Sequence, residues 1–237
     1  MKKLKQIVKN NRILAYFAFP IHAMTIGKYY KNKIIKNFQH NAEEVLICFD
    51  KAIKKAGVFY WLEFGTLLGA VREKGLIKKD SDLDFGVFLK DYSKNIEVEL
   101  LKAGFKKTLK FFIDDGTYGL ELQFSLKGVI VDIFFYTLKE NTMYCHIFCE
   151  QDKETLAQTK KNLGGLIIKE TTFGYRGFES IEMFNTTFNI PKSPGNHLIE
   201  HYGTGYMTPD PKWNYLIHPK NDKVLKDKLG DFIQFDA

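Results

Sequence analysis

One aspartate stands in the middle of a run that is otherwise apolar. Residues 128–136 read GVIVDIFFY, and Asp132 is the single charged residue among them. The β-branched and aromatic residues predict a strand. A carboxylate buried in such a strand is costly unless a metal ion, an arginine or a tight hydrogen bond compensates it. The alternative is an acid on an edge strand that faces water, but the same-face neighbours Ile130, Phe134 and Tyr136 are bulky, which favours burial.

A second acidic feature precedes this run, since Asp80, Asp82 and Asp84 alternate as D-x-D-x-D. Alternate side chains of a strand share one face, about 6.6 Å apart, so Asp82 and Asp84 would present two carboxylates together. Carboxylates so close repel each other unless a cation lies between them, and Mg²⁺ accepts carboxylates while leaving room for phosphate oxygens. The alternative is a solvated turn capped by acids. If the two strands are neighbours, Asp82, Asp84 and Asp132 converge, as metal-dependent phosphoryl transfer requires.

A possible phosphate site lies upstream, where Gly65 and Thr66 separate a predicted strand from a short helix. Such a turn offers backbone N–H groups and a hydroxyl to a phosphate, helped by the helix dipole. Arg72 follows about two turns later and could bind the same phosphate through two oxygens. An ordinary strand-to-helix turn and a surface arginine are the alternatives.

The order of predicted elements is that of a mixed α/β or α+β protein. Asn41 is predicted to cap a helix with an apolar stripe over 42–56, and Gly57 to end it. The other predicted helices cover 67–74, 93–104 and 196–202. The predicted strands cover 58–64, 82–89, 105–113, 118–126, 129–138, 143–148, 166–170 and 184–190.

Composition narrows the class of protein without identifying it. The chain has 237 residues, 45% of them hydrophobic, which is ordinary globular usage. Three cysteines cannot all pair, which favours a reducing compartment. A net charge of +7 favours anionic partners such as nucleotide phosphates, nucleic acid or an acidic membrane surface.

The N-terminal segment is basic and then apolar. The apolar run over 13–27 is too short to span a bilayer and lacks a clear signal-peptide cleavage site. Two interpretations stay open, namely a helix packed on the main body and an aromatic-rich segment lying on an anionic membrane surface.

Residues 61–88, which read WLEFGTLLGAVREKGLIKKDSDLDFGVF, resemble the signature of the LicD and fukutin families, within the polymerase-beta-like nucleotidyltransferase superfamily. The stretches 119–136 and 190–213 agree with it in order, so the resemblance covers most of 38–215. The runs DLDFGVF and ELQF…VDIFFY favour the fukutin side over choline-transferring LicD proteins. The resemblance implies an α+β fold, with a nucleotidyltransferase-like mixed or antiparallel sheet flanked by helices.

The resemblance also implies a division of the chain. Residues 1–37 would be an N-terminal helical segment, 38–215 the catalytic domain and 216–237 a C-terminal helical tail. The protein would be cytoplasmic, with the inner face of the membrane as the expected place of any peripheral contact.

The resemblance assigns the aspartates to a metal site for Mg²⁺ or Mn²⁺. Asp82 and Asp84 match the family's metal-binding pair, and Asp132 matches a third carboxylate beside the metal that activates the attacking hydroxyl. LicD proteins often carry I-P-W-D-D-D-I-D where this chain has IKKDSDLD over 77–84, and this difference weakens the case for Asp80 as a ligand.

The resemblance assigns a second group of residues to the donor. Gly65 and Thr66 match a turn that cradles the donor phosphates, and Arg72 matches an arginine near them. Lys78 would add positive charge, and Tyr202 belongs to a C-terminal motif expected to help close the site.

The implied activity is transfer of a phosphate-linked group from CDP-ribitol, CDP-glycerol or CDP-choline to a hydroxyl of a glycan or lipid-linked saccharide. One alternative is a nucleotidyltransferase that passes an NMP to a small acceptor. Another is a non-catalytic protein that binds nucleic acid or membrane. Because the basic residues are scattered and no aromatic RNA-binding motif is visible, no nucleic-acid partner is expected.

Overall fold

A curved sheet of eight strands and a separate two-stranded hairpin dominate the structure, a computed structural model that describes residues 23–152 and 154–235. The strands are β1 (Tyr60–Leu62), β2 (Asp82–Phe88), β3 (Lys106–Ile113), β4 (Gly119–Leu126), β5 (Val129–Lys139), β6 (Thr142–Cys149), β7 (Leu166–Gly174), β8 (Phe178–Met183), β9 (Thr186–Pro191) and β10 (Asp222–Gln234). The helices of this region are α1 (Ala23–Ala56), α2 (Phe64–Arg72), α3 (Lys94–Lys102), α4 (Leu156–Leu163) and α5 (Pro194–Tyr202).

The strand order explains how distant parts of the chain meet. The sheet runs β1-β2-β5-β4-β3-β10-β7-β6, and β6 also pairs with the far end of β5, so the sheet curls back on itself. Among the described strands, β2 and β5 form the one parallel pair, while the other pairings are antiparallel. These helices and this sheet confirm the predicted mixed α+β fold.

Helix α1 packs its apolar stripe against one face of the sheet. Val45, Leu46, Phe49 and Ile53 are fully buried, and the Phe49 ring stacks on Phe85 of β2 with centroids 3.7 Å apart. Each such side chain contributes about 1.5–3 kcal/mol through the apolar area that it removes from water. The opposite face of β2 and β5 carries Asp82, Asp84 and Asp132, next to a second apolar cluster that includes Phe88, Phe134 and Tyr136.

The predicted start of this helix is wrong, because α1 begins at Ala23 rather than at Asn41. Asn41 lies inside the helix and donates from Nδ2 to the carbonyl of Lys127, 3.0 Å away. The predicted stop at Gly57 is correct, since its φ of 73° ends the helix. The apolar segment 13–27 lies mostly outside the described residues, so its contact with the core or a membrane stays a prediction.

The expectation of a C-terminal helical tail is also wrong. Residues 222–234 form β10, which pairs with both β7 and β3. Leu225 faces Ile168 of β7, and Phe232 faces Phe111 of β3. The edges of β3 and β7 would otherwise lack partners, and this segment pairs with both of them. Local sequence patterns cannot predict such long-range pairing.

Some of the predicted helices and strands also differ from the structure in number and bounds. Helix α4 and strand β8 were not expected, and α2 begins earlier than predicted, at Phe64. None of the helices in the described part of the chain combines the length and apolar character that membrane crossing requires.

Candidate active site

Three aspartates meet where β2 and β5 run side by side. In the parallel register Asp82 pairs with Ile130 and Asp84 pairs with Asp132. The carboxylates of Asp82, Asp84 and Asp132 each offer one oxygen, and these oxygens all lie within 4.8 Å of one another. Asp84 and Asp132 are 8% and 7% exposed, so two of the three carboxylates are almost completely buried.

The beginning of α2 contacts this cluster through its backbone and one hydroxyl. Gly65 N–H donates to Asp84 Oδ2 at 3.0 Å, and the Asp84 N–H donates to Thr66 Oγ1 at 2.8 Å. The Glu63 N–H also donates to the Asp84 carbonyl at 3.1 Å. The turn predicted to bind phosphate therefore holds Asp84, through the Gly65 N–H and the buried Thr66 hydroxyl.

Gly65 occupies its position because no larger residue fits there. A Cβ atom at Gly65 would lie 2.8 Å from Asp80 Oδ2 and 3.2 Å from Asp84 Oδ2. Contacts this short require the carboxylates to move. The absence of a side chain at Gly65 thus allows the helix start and the acidic cluster to approach each other.

The pKa values reflect crowded negative charge. Burial, followed by repulsion from Asp82, raises the pKa of Asp80 to about 8, and the same two causes raise that of Asp132 to about 8. Burial, then the charges of Asp82, Asp80 and Asp132, raise the pKa of Asp84 well above its usual value. Burial also raises the pKa of Asp82. Without a counter-charge, several of these carboxylates would hold protons at neutral pH.

These residues fit a hard divalent cation. Carboxylate oxygens are the ligands that Mg²⁺ prefers, and a cation would relieve the repulsion within the cluster. Asp132 Oδ1 is also buried without a hydrogen-bond partner, which is costly for a carboxylate oxygen unless another group binds it.

Arg72 lies near the cluster but is already engaged. Its Nη1 donates to the Tyr206 carbonyl at 3.1 Å, and its Nε lies 2.9 Å from Glu73 Oε1. Its charge acts to lower the pKa of Asp80, opposing the larger effects of burial and Asp82. Arg72 thus connects α2 to the chain that follows α5.

The two other residues predicted for the donor differ in placement. Lys78 is exposed, and its carbonyl accepts a hydrogen bond from Gln39 Nε2 at 2.8 Å. Tyr202 lies close enough to the acids that burial, followed by the charge of Asp84, raises its pKa. Its ring packs on Trp213 with centroids 4.7 Å apart. Tyr202 therefore adjoins the cluster, whereas Lys78 is at the surface.

Sequence reasoning missed two polar residues on β4. Gln123 lies directly opposite Asp132, and Glu121 lies opposite Phe134, so both share the face of the cluster. Burial, followed by the charge of Asp132, raises the pKa of Glu121 well above its usual value. The signal was present in the run GLELQF, where these polar residues alternate as the aspartates do.

A buried pair supports the start of α2, and it was also missed. Glu63 Oε1 lies 2.7 Å from His197 Nε2, while Glu63 Oε2 accepts from Trp61 Nε1 at 2.6 Å. The carboxylate also caps α2 by accepting from Phe64 N–H. Burial acts to raise the pKa of Glu63, but the contacts with His197, Trp61 and the Phe64 N–H together outweigh burial and lower the pKa. The Glu63–His197 pair joins α5 to the start of α2, where the Gly65 N–H donates to Asp84.

A mixed α+β sheet that brings three carboxylates together beside a helix N-terminus is an arrangement suited to an enzyme that binds a divalent cation and phosphate groups. Residues 57–163 match the family described as LicD/FKTN/FKRP, nucleotidyltransferase domain. The chain is therefore LicD/fukutin-like, and the matched residues include the three aspartates of the site.

Individual relatives agree with this assignment. The chain is 30% identical over 186 residues to the ribitol-5-phosphate transferase FKTN of Mus musculus and 28% identical to that of Homo sapiens, each match covering 78% of this chain and 37% of the relative. It is 42% identical over 52 residues to the ribitol 5-phosphate transferase FKRP of Homo sapiens, covering 22% of this chain and 10% of the relative. The chain thus spans just over a third of the length of its FKTN relatives.

Proposed function

We propose that this protein is a metal-dependent transferase that moves a phosphate-linked small group from a CDP-activated donor to a hydroxyl of a glycan. The group would be ribitol phosphate, glycerol phosphate or phosphocholine. The observation that carries the proposal is the meeting of Asp82, Asp84 and Asp132 within 4.8 Å beside the start of α2. The FKTN relatives, which are ribitol-5-phosphate transferases, favour ribitol phosphate among the three.

In this proposal the three aspartates would hold Mg²⁺ or Mn²⁺. The cation would neutralise charge on the donor diphosphate and on the departing CMP. Asp82 and Asp84 would bind on the donor side. Asp132 would orient the acceptor hydroxyl and accept its proton.

The remaining residues would bind and align the donor. Thr66 would donate its hydroxyl proton to a phosphate oxygen, and the N-terminal dipole of α2 would favour the negative charge. Arg72 and Lys78 would add positive charge around the diphosphate, and Tyr202 would help close the site. Because no covalent intermediate is needed, binding in an in-line arrangement supplies most of the catalysis.

The bond changes of the proposed reaction are simple. The acceptor oxygen forms a bond to the phosphorus that carries the small group, and the bond from that phosphorus to the bridging oxygen breaks. CMP leaves with the bridging oxygen, and the acceptor proton passes to Asp132 and then to solvent. The product is a phosphodiester, with a glycan or a lipid-linked saccharide as the acceptor.

The experiment combines ligand binding with product analysis. CDP-ribitol, CDP-glycerol and CDP-choline are each tested for a Mn²⁺-dependent rise in the melting temperature, since selective binding to the folded state stabilises it. The preferred donor is then incubated with saccharide acceptors, and the small products are separated.

Free CMP together with a phosphodiester product is the expected result. Release of pyrophosphate from CTP would instead favour the rival nucleotidyl transfer. Asp84→Asn should lower turnover by about 100-fold or more, whereas Asp91→Asn, at an exposed position, should leave turnover unchanged. Full turnover by a folded Asp84→Asn protein would contradict the proposal.

A further inference from the structure

Strand β3 contains one extra residue next to the site. Lys107 pairs with Phe124 and Leu109 pairs with Gln123, so Thr108 between them has no partner of its own in β4. This is a β-bulge, a feature that redirects a side chain and is frequent beside active sites. Thr108 is 2% exposed, and its carbonyl is satisfied by the Phe235 N–H at 2.9 Å.

The bulge directs the Thr108 hydroxyl onto a side chain of the neighbouring strand. Thr108 Oγ1 lies 2.9 Å from Gln123 Oε1 and 3.1 Å from the Gln123 carbonyl. A hydroxyl that donates to the amide oxygen fixes which end of the amide faces the other way. The amide nitrogen of Gln123 is therefore the end that is left for other partners.

That other partner is Asp132. Gln123 lies directly opposite Asp132 in the antiparallel pairing of β4 with β5, so its side chain is the cross-strand neighbour of the Asp132 carboxylate. The opposite amide orientation would place its oxygen against the carboxylate and would be repulsive. Asp132 Oδ1 is buried with no hydrogen-bond partner, so this oxygen is available to a cation.

We propose that Thr108 and Gln123 are positioning residues that orient the Asp132 carboxylate toward the divalent cation and thereby set the affinity for that cation. The inference rests on the metal site of the proposed function. Residues that hydrogen-bond a metal ligand typically change metal affinity by about 10- to 100-fold when they are replaced. The proposal adds a specific order of action, in which Thr108 acts through Gln123 and Gln123 acts through Asp132.

The test measures Mn²⁺ affinity of the full chain by calorimetry, with thermal unfolding as a check on folding. Thr108→Val removes the hydroxyl at nearly constant volume, Thr108→Ser retains it, and Gln123→Met removes the amide. Thr159→Val is the matched control, because Thr159 lies on α4, away from the aspartate cluster, and is also fully buried. Its hydroxyl accepts a hydrogen bond from the Gln151 N–H at 2.9 Å.

We expect Thr108→Val and Gln123→Met each to weaken Mn²⁺ binding by about 10-fold, with Thr108→Ser and Thr159→Val within about 2-fold of wild type. The double variant Thr108→Val/Gln123→Met should bind no more weakly than Gln123→Met alone, because the two residues act in series.

Other outcomes would overturn the inference. Wild-type affinity in both Thr108→Val and Gln123→Met, with binding lost in Asp132→Asn, would refute the inference while leaving the metal site intact. Equal weakening by Thr108→Ser would also refute it, since that variant retains the hydroxyl. Absence of Mn²⁺ binding by the wild-type chain would overturn the metal site and the inference together.

Discussion

Asp84 and Asp132 lie directly opposite each other in the parallel pairing of β2 with β5, and both are almost completely buried. Adjacent strands are about 4.8 Å apart, so two carboxylates are forced together by the backbone rather than by a flexible loop. Their repulsion cannot be relieved by turning the side chains into water. The stability and the chemistry of the site should therefore respond to any change in this pair.

Asp84→Asn is the most direct change. It retains an oxygen that can accept from Gly65 N–H but removes one of the three negative charges. Mn²⁺ affinity and turnover should each fall by about 100-fold or more, because a ligand matters at least as much as its supporting residues. Calorimetry and a donor-turnover assay measure the two effects. The chain should melt no lower than wild type in the presence of a chelator, and a large drop would indicate a structural role instead.

The stability of the metal-free protein should depend on pH in a definite direction. The pKa of Asp132 is raised from about 3.9 when unfolded to about 8 when folded, so the folded state retains a proton that the unfolded state loses between these values. The stabilising contribution is complete below about pH 4 and is lost as the pH rises through 8. The melting temperature in chelator should thus fall from pH 6 to pH 8.5, and Asp132→Asn should flatten this dependence.

Mn²⁺ should reverse that trend, because it binds the deprotonated carboxylates. The rise in melting temperature that Mn²⁺ causes is expected to be larger at pH 8 than at pH 6. A differential scanning fluorimetry series with and without Mn²⁺ measures this difference. A metal effect that does not vary with pH would show that the cation binds elsewhere.

Gly65→Ala tests how closely the helix approaches the acids. The added Cβ would lie 2.8 Å from Asp80 Oδ2, so the carboxylates must shift. Because alanine is a better helix former than glycine by about 1 kcal/mol, stability should change little while Mn²⁺ affinity falls. Gly205→Ala is the control, since a Cβ there meets nothing within 4 Å. Unchanged affinity in Gly65→Ala would mean that the carboxylate arrangement tolerates this displacement.

Glu63→Gln should destabilise the fold rather than merely impair binding. The change leaves His197 and Trp61 Nε1 without the buried carboxylate that they contact. A hydrogen bond to a buried charged group contributes about 1.5–3 kcal/mol, compared with about 0–1 kcal/mol for the exposed pair removed by Glu44→Ala. Urea unfolding of both variants measures the difference. Equal costs for the two variants would show that the Glu63–His197 contact carries no special weight.

Much of this site could be predicted from the chain, for identifiable reasons. The alternation of Asp82 with Asp84 and the lone acid Asp132 in an apolar run are local patterns, and a strand makes their consequences predictable. The apolar stripe of α1 is a local pattern too, and its residues are buried as expected.

What could not be predicted depends on long-range register. Glu63 and His197 are 134 residues apart, and no spacing rule connects them. The bulge at Thr108 exists only relative to the partner strand, so its effect on Gln123 cannot be read from β3 alone. Residues 222–234 carry weak strand preference and acquire their conformation from the two edges that they join.

The position of β10 has a consequence for biosynthesis. Because β10 lies between β3 and β7, both strands present unpaired edges until residues 222–234 have left the ribosome. Until then, the unpaired edges of β3 and β7 in the nascent chain can bind chaperones or pair wrongly with other strand edges. Synonymous codon changes that slow translation before residue 222 should therefore lower the soluble yield without altering the finished protein.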